Sequence, residues 1–371
     1  MKISSIIAEF NPFHRGHSYI IEEMKAKSDA IVCVMSGNFV QRGECAIFEK
    51  YERARAAVEN GVDLVIELPL VYALSSAEGF SYGGVKILDE CKIIDDIYFG
   101  SECGDIEKIK KVANALKTES TEYKERLNTF LSEGMSYPKA RMLSLKNDME
   151  EAHILENPNN ILAVEYLRAL EKVNSEIVPH TIKRKGSGYN DTEIKGNIPS
   201  ATILREMIKR GDSPNLSFDY TSKPLFMDDL DIVVSARLKT IAQSDLEKIP
   251  DCNSEIAVRL KNSSKYNTVA EILEEAACKR YTQSRLRRIL CNMVISNEFK
   301  ALPEPTYIRP IAFNNKGAEL LKQIKKAADL PVADRGAILK NDEIFKLECR
   351  GSDIAALLRN QESGSEFVAA R

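Results

Sequence analysis

No run in this sequence approaches the roughly 20 apolar residues needed to cross a bilayer, so neither a membrane span nor a membrane partner is expected. Basic excess is missing as well. The 52 Lys and Arg residues stand against 55 Asp and Glu, a formal net charge of −3. That balance excludes a protein that coats nucleic acid over its whole surface and confines any RNA contact to a local patch. No C-x-x-C pair occurs among the 8 cysteines. Cys33, Cys45, Cys91, Cys103, Cys252, Cys278, Cys291 and Cys349 stand singly, which argues against both a zinc knuckle and a disulfide framework. Cys33 and Cys91 lie in apolar surroundings and read as small buried hydrophobes. The chain opens on a strand-like run rather than a signal peptide, so a cytoplasmic location is expected. Histidine is scarce, with 4 in 371 residues.

Two of those four histidines, His14 and His17, fall in one stretch, IIAEFNPFHRGHSYI. Residues 3–10 read as a buried strand and residues 18–27 as an amphipathic helix, which makes 11–16 a strand-to-helix turn. Such a turn suits phosphate. Unpaired N–H groups and the positive end of the helix dipole point out of a helix start, and Gly16 has no Cβ to hold oxygens away. Residues three apart at a helix entry share a face, so both imidazoles can reach one polyphosphate. As donors they would stabilise charge on an α-phosphate as pyrophosphate leaves. A metal pair or two structural histidines would show the same spacing; the flanking strand and helix favour the phosphate reading.

The first hundred residues alternate strand and helix. Apolar runs at 30–35, 63–68 and 93–99 read as strands and 48–60 as an amphipathic helix ended by Gly61. This alternation predicts an α/β fold on a parallel sheet, with ligands beyond the carboxyl ends of the strands. Three loops qualify: 11–16, 36–44 and 100–104. The second carries Gln41 and Arg42 between two glycines; an arginine fork there could hold a carboxylate or phosphate, or form a surface ion pair. Asn159 and Asn160 precede ILAVEYLRAL and could cap that helix. Residues 176–182 read as the last strand of the sheet. After it come Lys183, Arg184, Lys185, Gly186, Ser187 and Gly188, a basic loop whose cations could neutralise a triphosphate. Ser200, Thr202 and Arg205 then open a helix in the string IPSATILR, from Ile198. Pro214 and Pro224 mark a linker, and residues 229–298 read as successive amphipathic helices. Within KRYTQSRLRRILCNMVI, Arg285, Arg287 and Arg288 occur without an acid and one turn after Tyr281. This would be either an RNA-facing patch or a solvated face, with Leu286, Ile289, Leu290 and Met293 on the buried side. Residues 307–313 could form one further strand.

NPFHRGH resembles the H-x-G-H signature of the nucleotidyltransferase superfamily. The longer strings AEFNPFHRGH, VMSGNFVQRGECAIFEKYERARAAVENGVDLVIELP, IYFGSECGDI, PNNILAVEYLRAL and YIRPIAFNNKG resemble the tRNA(Met) cytidine acetate ligase family through most of the chain. The resemblance implies a Rossmann-like parallel-sheet nucleotidyltransferase domain of the HIGH type over residues 1–210 and a mainly helical, tRNA-facing region over 211–371. It implies adenylation of acetate by ATP, then acetyl transfer to N4 of the wobble cytidine of elongator tRNA(Met), with magnesium offsetting charge on the leaving pyrophosphate. On this resemblance His14 and His17 are catalytic. ATP contacts are implied at Ile7, Ala8, Glu9, Phe10, Asn11, Pro12, Phe13, Arg15, Gly16, Ser18, Tyr19 and Ile20, and at Gly100, Asn160 in preference to Asn159, and Arg184. The IPSATILR string resembles the second superfamily motif, whose hydroxyls and arginine bind the outgoing phosphates. No protein-held metal site is expected. Two rivals are a small-molecule nucleotidyltransferase, which would need no large helical half, and a non-catalytic RNA-binding protein with a vestigial nucleotide site.

Overall fold

A computed structural model describes residues 1–184 and 199–367. Lys185 to Gly188 of the basic loop, and Ile198, lie outside the described residues. The strands are β1 (Ile3–Ala8), β2 (Ala30–Ser36), β3 (Phe39–Val40), β4 (Glu44–Cys45), β5 (Leu64–Leu68), β6 (Asp96–Ser101), β7 (Val178–Lys183) and β8 (Pro310–Phe313). Six of them form one sheet in the order β7-β6-β1-β2-β5-β8, and β3 and β4 form a small hairpin. All pairings in the large sheet are parallel except that of β8 with β5.

The central strands are apolar on both faces because helices cover both. Along β2, Ala30, Val32 and Val34 join one buried cluster and Ile31, Cys33 and Met35 the other. This is the period-two division expected of a sheet buried on each side. On the second face pack the helices α1 (Arg15–Lys25) and α2 (Lys50–Glu59), through Ile21, Met24, Ala54 and Ala57. On the first face, helix Ala77–Glu90 contributes Val85 and Leu88 and packs against helix Pro158–Lys172.

The sheet does not end with the 176–182 strand. After the helices Asp231–Thr240, Ser254–Ser263, Val269–Ala276 and Gln283–Val294, the chain returns as β8 and adds an antiparallel edge beside β5. Leu286, Ile289, Leu290 and Met293 of the Gln283–Val294 helix are wholly buried. Among the described residues no helix is long and apolar enough to cross a membrane.

Candidate active site

The sheet order places the ligand crevice. From β1 the chain runs first to β2 on one side and later to β6 on the other, so a crevice opens between β1 and β6 at their carboxyl ends. A cavity there is lined by Glu9, Phe10, Asn11, His14, His17 and Ile20 after β1, and by Phe99 and Gly100 of β6. Arg184 closes it after β7, and Ser200, Ala201, Thr202 and Arg205 come from helix Ala201–Lys209. The loops named from sequence thus converge on one space.

The turn is tighter than periodicity implies. Helix α1 starts at Arg15, three residues before the expected start, with His14 as its N-cap. The amide of Gly16 donates to Nδ1 of His14 at 2.9 Å, and the amide of His14 donates to Nδ1 of His17 at 3.3 Å. The two histidines therefore make a reciprocal capping box and stack at 3.9 Å and 24°. Burial, with the Arg184 and Arg205 guanidiniums, holds the His14 imidazole down at about 3. Burial, His14 and Arg184 hold His17 well below its ordinary value. Each ring is thus neutral, accepts at Nδ1 and carries its proton on Nε2. That leaves one N–H per ring to offer a ligand in the cavity.

Arg184 and Arg205 supply the charge. Burial pulls the Arg184 pKa down, partly countered by Glu102, but an arginine stays cationic. Arg205 donates to the Asn11 carbonyl at 2.9 Å, tying its helix to the histidine turn. Ser200 is the N-cap of that helix, its hydroxyl accepting from the Ile203 amide at 3.3 Å, so the helix start opens toward the cavity with its cap in place. At Gly100 a Cβ would stand 3.2 Å from Arg184 Cγ and 3.3 Å from Ile20 Cδ1, a tight fit to which one of these side chains would have to yield. Of the stretch expected to contact ATP, Ile7, Ala8, Glu9, Phe10, Asn11 and Ile20 line the cavity. Pro12, Phe13, Arg15, Gly16, Ser18 and Tyr19 do not form its wall.

The structure gives Asn159 and Asn160, of which Asn160 is the implied ATP contact, different surroundings. Asn159 lines the cavity, whereas the Asn160 side chain is 2% exposed and wholly committed. Its Oδ1 accepts from the amides of Glu102 and Cys103 at 3.0 and 3.1 Å, and its Nδ2 donates to the Ile154 carbonyl at 3.0 Å. Neither asparagine caps the helix. The Glu102 carboxylate does so from the loop after β6, accepting from the Asn160 amide at 2.9 Å and from Asn159 Nδ2 at 2.6 Å. Asn160→Ala is expected to cost about 1 to 3 kcal/mol by stranding buried donors, read by urea unfolding. Asn159→Ala, which loses only its bond to Glu102, should lower the unfolding midpoint less and weaken ATP binding in a calorimetric titration. The opposite assignment of the two effects would return Asn160 to the cavity.

Local pattern could not have identified several other residues. Phe80, Leu162 and Tyr166 complete the wall from helices on the first face of the sheet, where they read only as core. Arg53 of α2 is fully buried and donates to the carbonyls of Glu9 at 2.5 Å, Ser36 at 3.2 Å, Phe48 at 3.0 Å, and Gly37, clamping the ends of β1 and β2 together. Gln41 and Arg42, between β3 and β4, do reach the cavity.

The basic helix Gln283–Val294 lies behind that hairpin. Gly43, at φ +76°, has no room for a Cβ, which would stand 2.3 Å from the Arg288 amide nitrogen. Arg285 lies over the Tyr281 ring at 5.1 Å and donates twice to the Asp251 carbonyl. An exposed cationic face at all three arginines is corrected at Arg288. That side chain is buried, paired with Asp251 at 3.3 Å and bonded to the Gln41 carbonyl at 3.4 Å. A guanidinium turned inward to a carboxylate is not part of an exposed basic face.

The sequence model of the HIGH Nucleotidyl Transferase family matches residues 1–367. The chain is 39% identical to a tRNA(Met) cytidine acetate ligase of Thermoanaerobacter sp. (strain X514), over 99% of this chain and 98% of that one. It is 40% identical to one of Caldanaerobacter subterraneus subsp. tengcongensis, over 96% and 95%. Among solved structures, it is similar to apo Thermotoga maritima TmcAL, with a TM-score of 0.90 and 32% identity over 100% of this chain and 97% of that chain. The same protein bound to alpha-thio ATP superimposes with a TM-score of 0.87 and 31% identity, over 99% and 96%.

Proposed function

Because this chain belongs to the HIGH nucleotidyl transferase family and, within it, to the tRNA(Met) cytidine acetate ligases, we propose that it adenylates acetate with ATP and transfers the acetyl group to N4 of the wobble cytidine of elongator tRNA(Met). The observation that carries the first step is the pair of neutral, stacked imidazoles, His14 and His17, beside Arg184 and Arg205 in one crevice. Acetate is a poor electrophile because its oxyanion must leave. Attack of the carboxylate on the α-phosphorus expels pyrophosphate and creates an acyl phosphate whose leaving group is AMP. The two Nε2–H groups and the guanidiniums stabilise charge gathering on the phosphates, in a site already organised to receive it. Asn159 and Gly100 border the nucleotide.

Magnesium accompanies the triphosphate and offsets its charge. Such an ion is held largely by substrate phosphates and water. Residues 1–210 carry the adenylating chemistry in this reading, and 211–371 present Arg285 and Arg287 to the tRNA.

Protein incubated with radiolabelled acetate, ATP and bulk tRNA should place label in the RNA. Label appearing from acetyl-CoA without ATP would overturn the adenylate route. Label absent from RNA while acetyl-AMP accumulates would overturn the acceptor. Reversing Arg285 and Arg287 to Glu should weaken tRNA binding and flatten its salt dependence while acetyl-AMP still forms. Filter binding across a salt series, beside a pyrophosphate-release assay, reads both. Unchanged tRNA affinity would move the docking surface elsewhere.

A further inference from the structure

Glu9 lines the cavity one residue past β1, on a wall that also holds Phe80 and Tyr166. Its Oε1 is fixed by the Gln41 amide at 2.6 Å, and its main chain is held by Arg53. No described residue is hydrogen-bonded to Oε2. Tyr166 is 4% exposed, borders the same space, and its hydroxyl makes no hydrogen bond among the described residues. A fixed carboxylate and an uncommitted buried hydroxyl thus face a cavity that also holds the phosphate-binding histidines. Such a carboxylate repels acetate and suits a donor. An exocyclic amine is one, since Glu and Asp accept from cytosine N4.

Resting on the function proposed above, we infer that Glu9 is the proton acceptor of the acyl-transfer step and receives the N4 amine of the cytosine. The N4 lone pair is delocalised into the ring, so the amine is a weak nucleophile that must shed a proton to keep the acyl group. As N4 attacks the carbonyl carbon of acetyl-AMP, the C–N bond forms and the carbonyl electron pair moves to oxygen. One N4 proton passes to Glu9 Oε2. Collapse of the tetrahedral intermediate breaks the acyl C–O bond, AMP leaves with the bonding pair, and Glu9 later returns its proton to solvent. Burial raises the Glu9 pKa against the lowering effects of the Gln41 amide and the Arg42 and Arg205 guanidiniums, which makes the carboxylate a better base than an exposed one. The groups facing it are Arg42 and Glu44 on the hairpin, Arg205, Tyr166 and Arg53. The hydroxyl of Tyr166 is placed to donate to a ring acceptor of the same base.

The test separates the two half-reactions on the full chain with tRNA. Acetyl-AMP formation and single-turnover acetyl transfer are measured for wild type, Glu9→Gln and Glu9→Asp across pH 5.5 to 8.5. A glutamine oxygen can still accept from N4 but cannot take its proton. Glu9→Gln should therefore lower the ratio of transfer to adenylation by about 10² or more and remove the acid-limb fall of transfer, in which the rate drops as the carboxylate takes up its proton. Glu9→Asp should recover part of the ratio. An unchanged ratio, or equal losses in Gln and Asp with the wild-type pH profile retained, would overturn the assignment. If Glu9→Gln fails to fold, Glu9→Asp and the wild-type profile decide: a transfer rate independent of pH rejects a carboxylate base. Failure of the functional reading looks different, because wild type itself then puts no label into tRNA.

Discussion

His17→Ala lowers acetate-dependent pyrophosphate exchange into ATP by about 10² to 10³, and His14→Ala does so less severely, through loss of donors aimed at developing phosphate charge. His17 sits one turn into the helix with its Nδ1 occupied, so its Nε2–H is the only donor it can direct at a ligand. His14→Ala additionally removes a cap, costing about 1 kcal/mol of stability, which must be separated from the kinetic loss by working well below the melting temperature. In the ligand-free protein neither ring titrates near neutrality, because burial and neighbouring cations keep both pKa values low. Adenylation should therefore show no histidine inflection between pH 6 and 8. The linkage has a definite sign. The unfolded chain binds protons on these rings below about 6.5 while the folded chain does not, so their contribution is fully present above that value. It is lost as pH falls toward the depressed value, about 3 for His14. Exchange at near-wild-type rate in both variants would remove the histidines from the chemistry.

The strand–turn–helix around His14 was legible because its physics is local: an apolar run alternating between two covered faces, then a glycine-bearing helix start. The same holds for Ser200, whose capping bond spans three residues. What escaped depended on partners distant in sequence. Glu102 replaces an asparagine cap from 58 residues away and turns Asn160 inward, leaving Asn159 at the cavity. Arg288 belongs to an acid-free run, yet its acid, Asp251, comes from another helix-flanking loop. Phe80 and Tyr166 have the spacing of core residues and become cavity wall only through the packing of their two helices, which lie far apart in sequence. Strand β8 was visible as an apolar run, but its place beside β5 is a property of topology. Family resemblance supplied acetate and tRNA, which no residue pattern reports.

Arg309→Met should cost about 3 to 5 kcal/mol, a large part of the 5 to 15 kcal/mol typical of a whole domain, because it leaves buried carboxylates short of a cation. Five charged side chains meet where the C-terminal residues return to the sheet. Lys50 of α2 reaches Glu67 of β5, Glu366 at 2.5 Å and Glu348 at 3.3 Å; Arg309 reaches Glu67 at 2.5 Å and also pairs with Glu366. All are buried. With two cations and three carboxylates the cluster would carry an excess negative charge in low dielectric, which is costly. Burial and the adjacent Glu67 carboxylate push Glu348 up, so it holds its proton at neutral pH, whereas Lys50 and Arg309 keep Glu67 low despite its burial. The cluster then balances. Glu348→Gln, which mimics the protonated form and can still accept from the Leu70 amide, should cost far less than Arg309→Met. Arg309→Lys should fall between them, since one ammonium nitrogen cannot stand both where Nη1 meets Glu67 and Glu366 and where Nη2 meets the Tyr51 hydroxyl and the Glu366 carbonyl. The raised Glu348 contributes stability that is full below its unfolded pKa, near 4.5, and is lost as pH rises through the folded value. Denaturant unfolding of the three variants from pH 5 to 9 reads both effects. Glu348→Gln should flatten the alkaline decline. A cost for Glu348→Gln equal to that for Arg309→Met would mean that Glu348 is ionised and that the charges are balanced in another way.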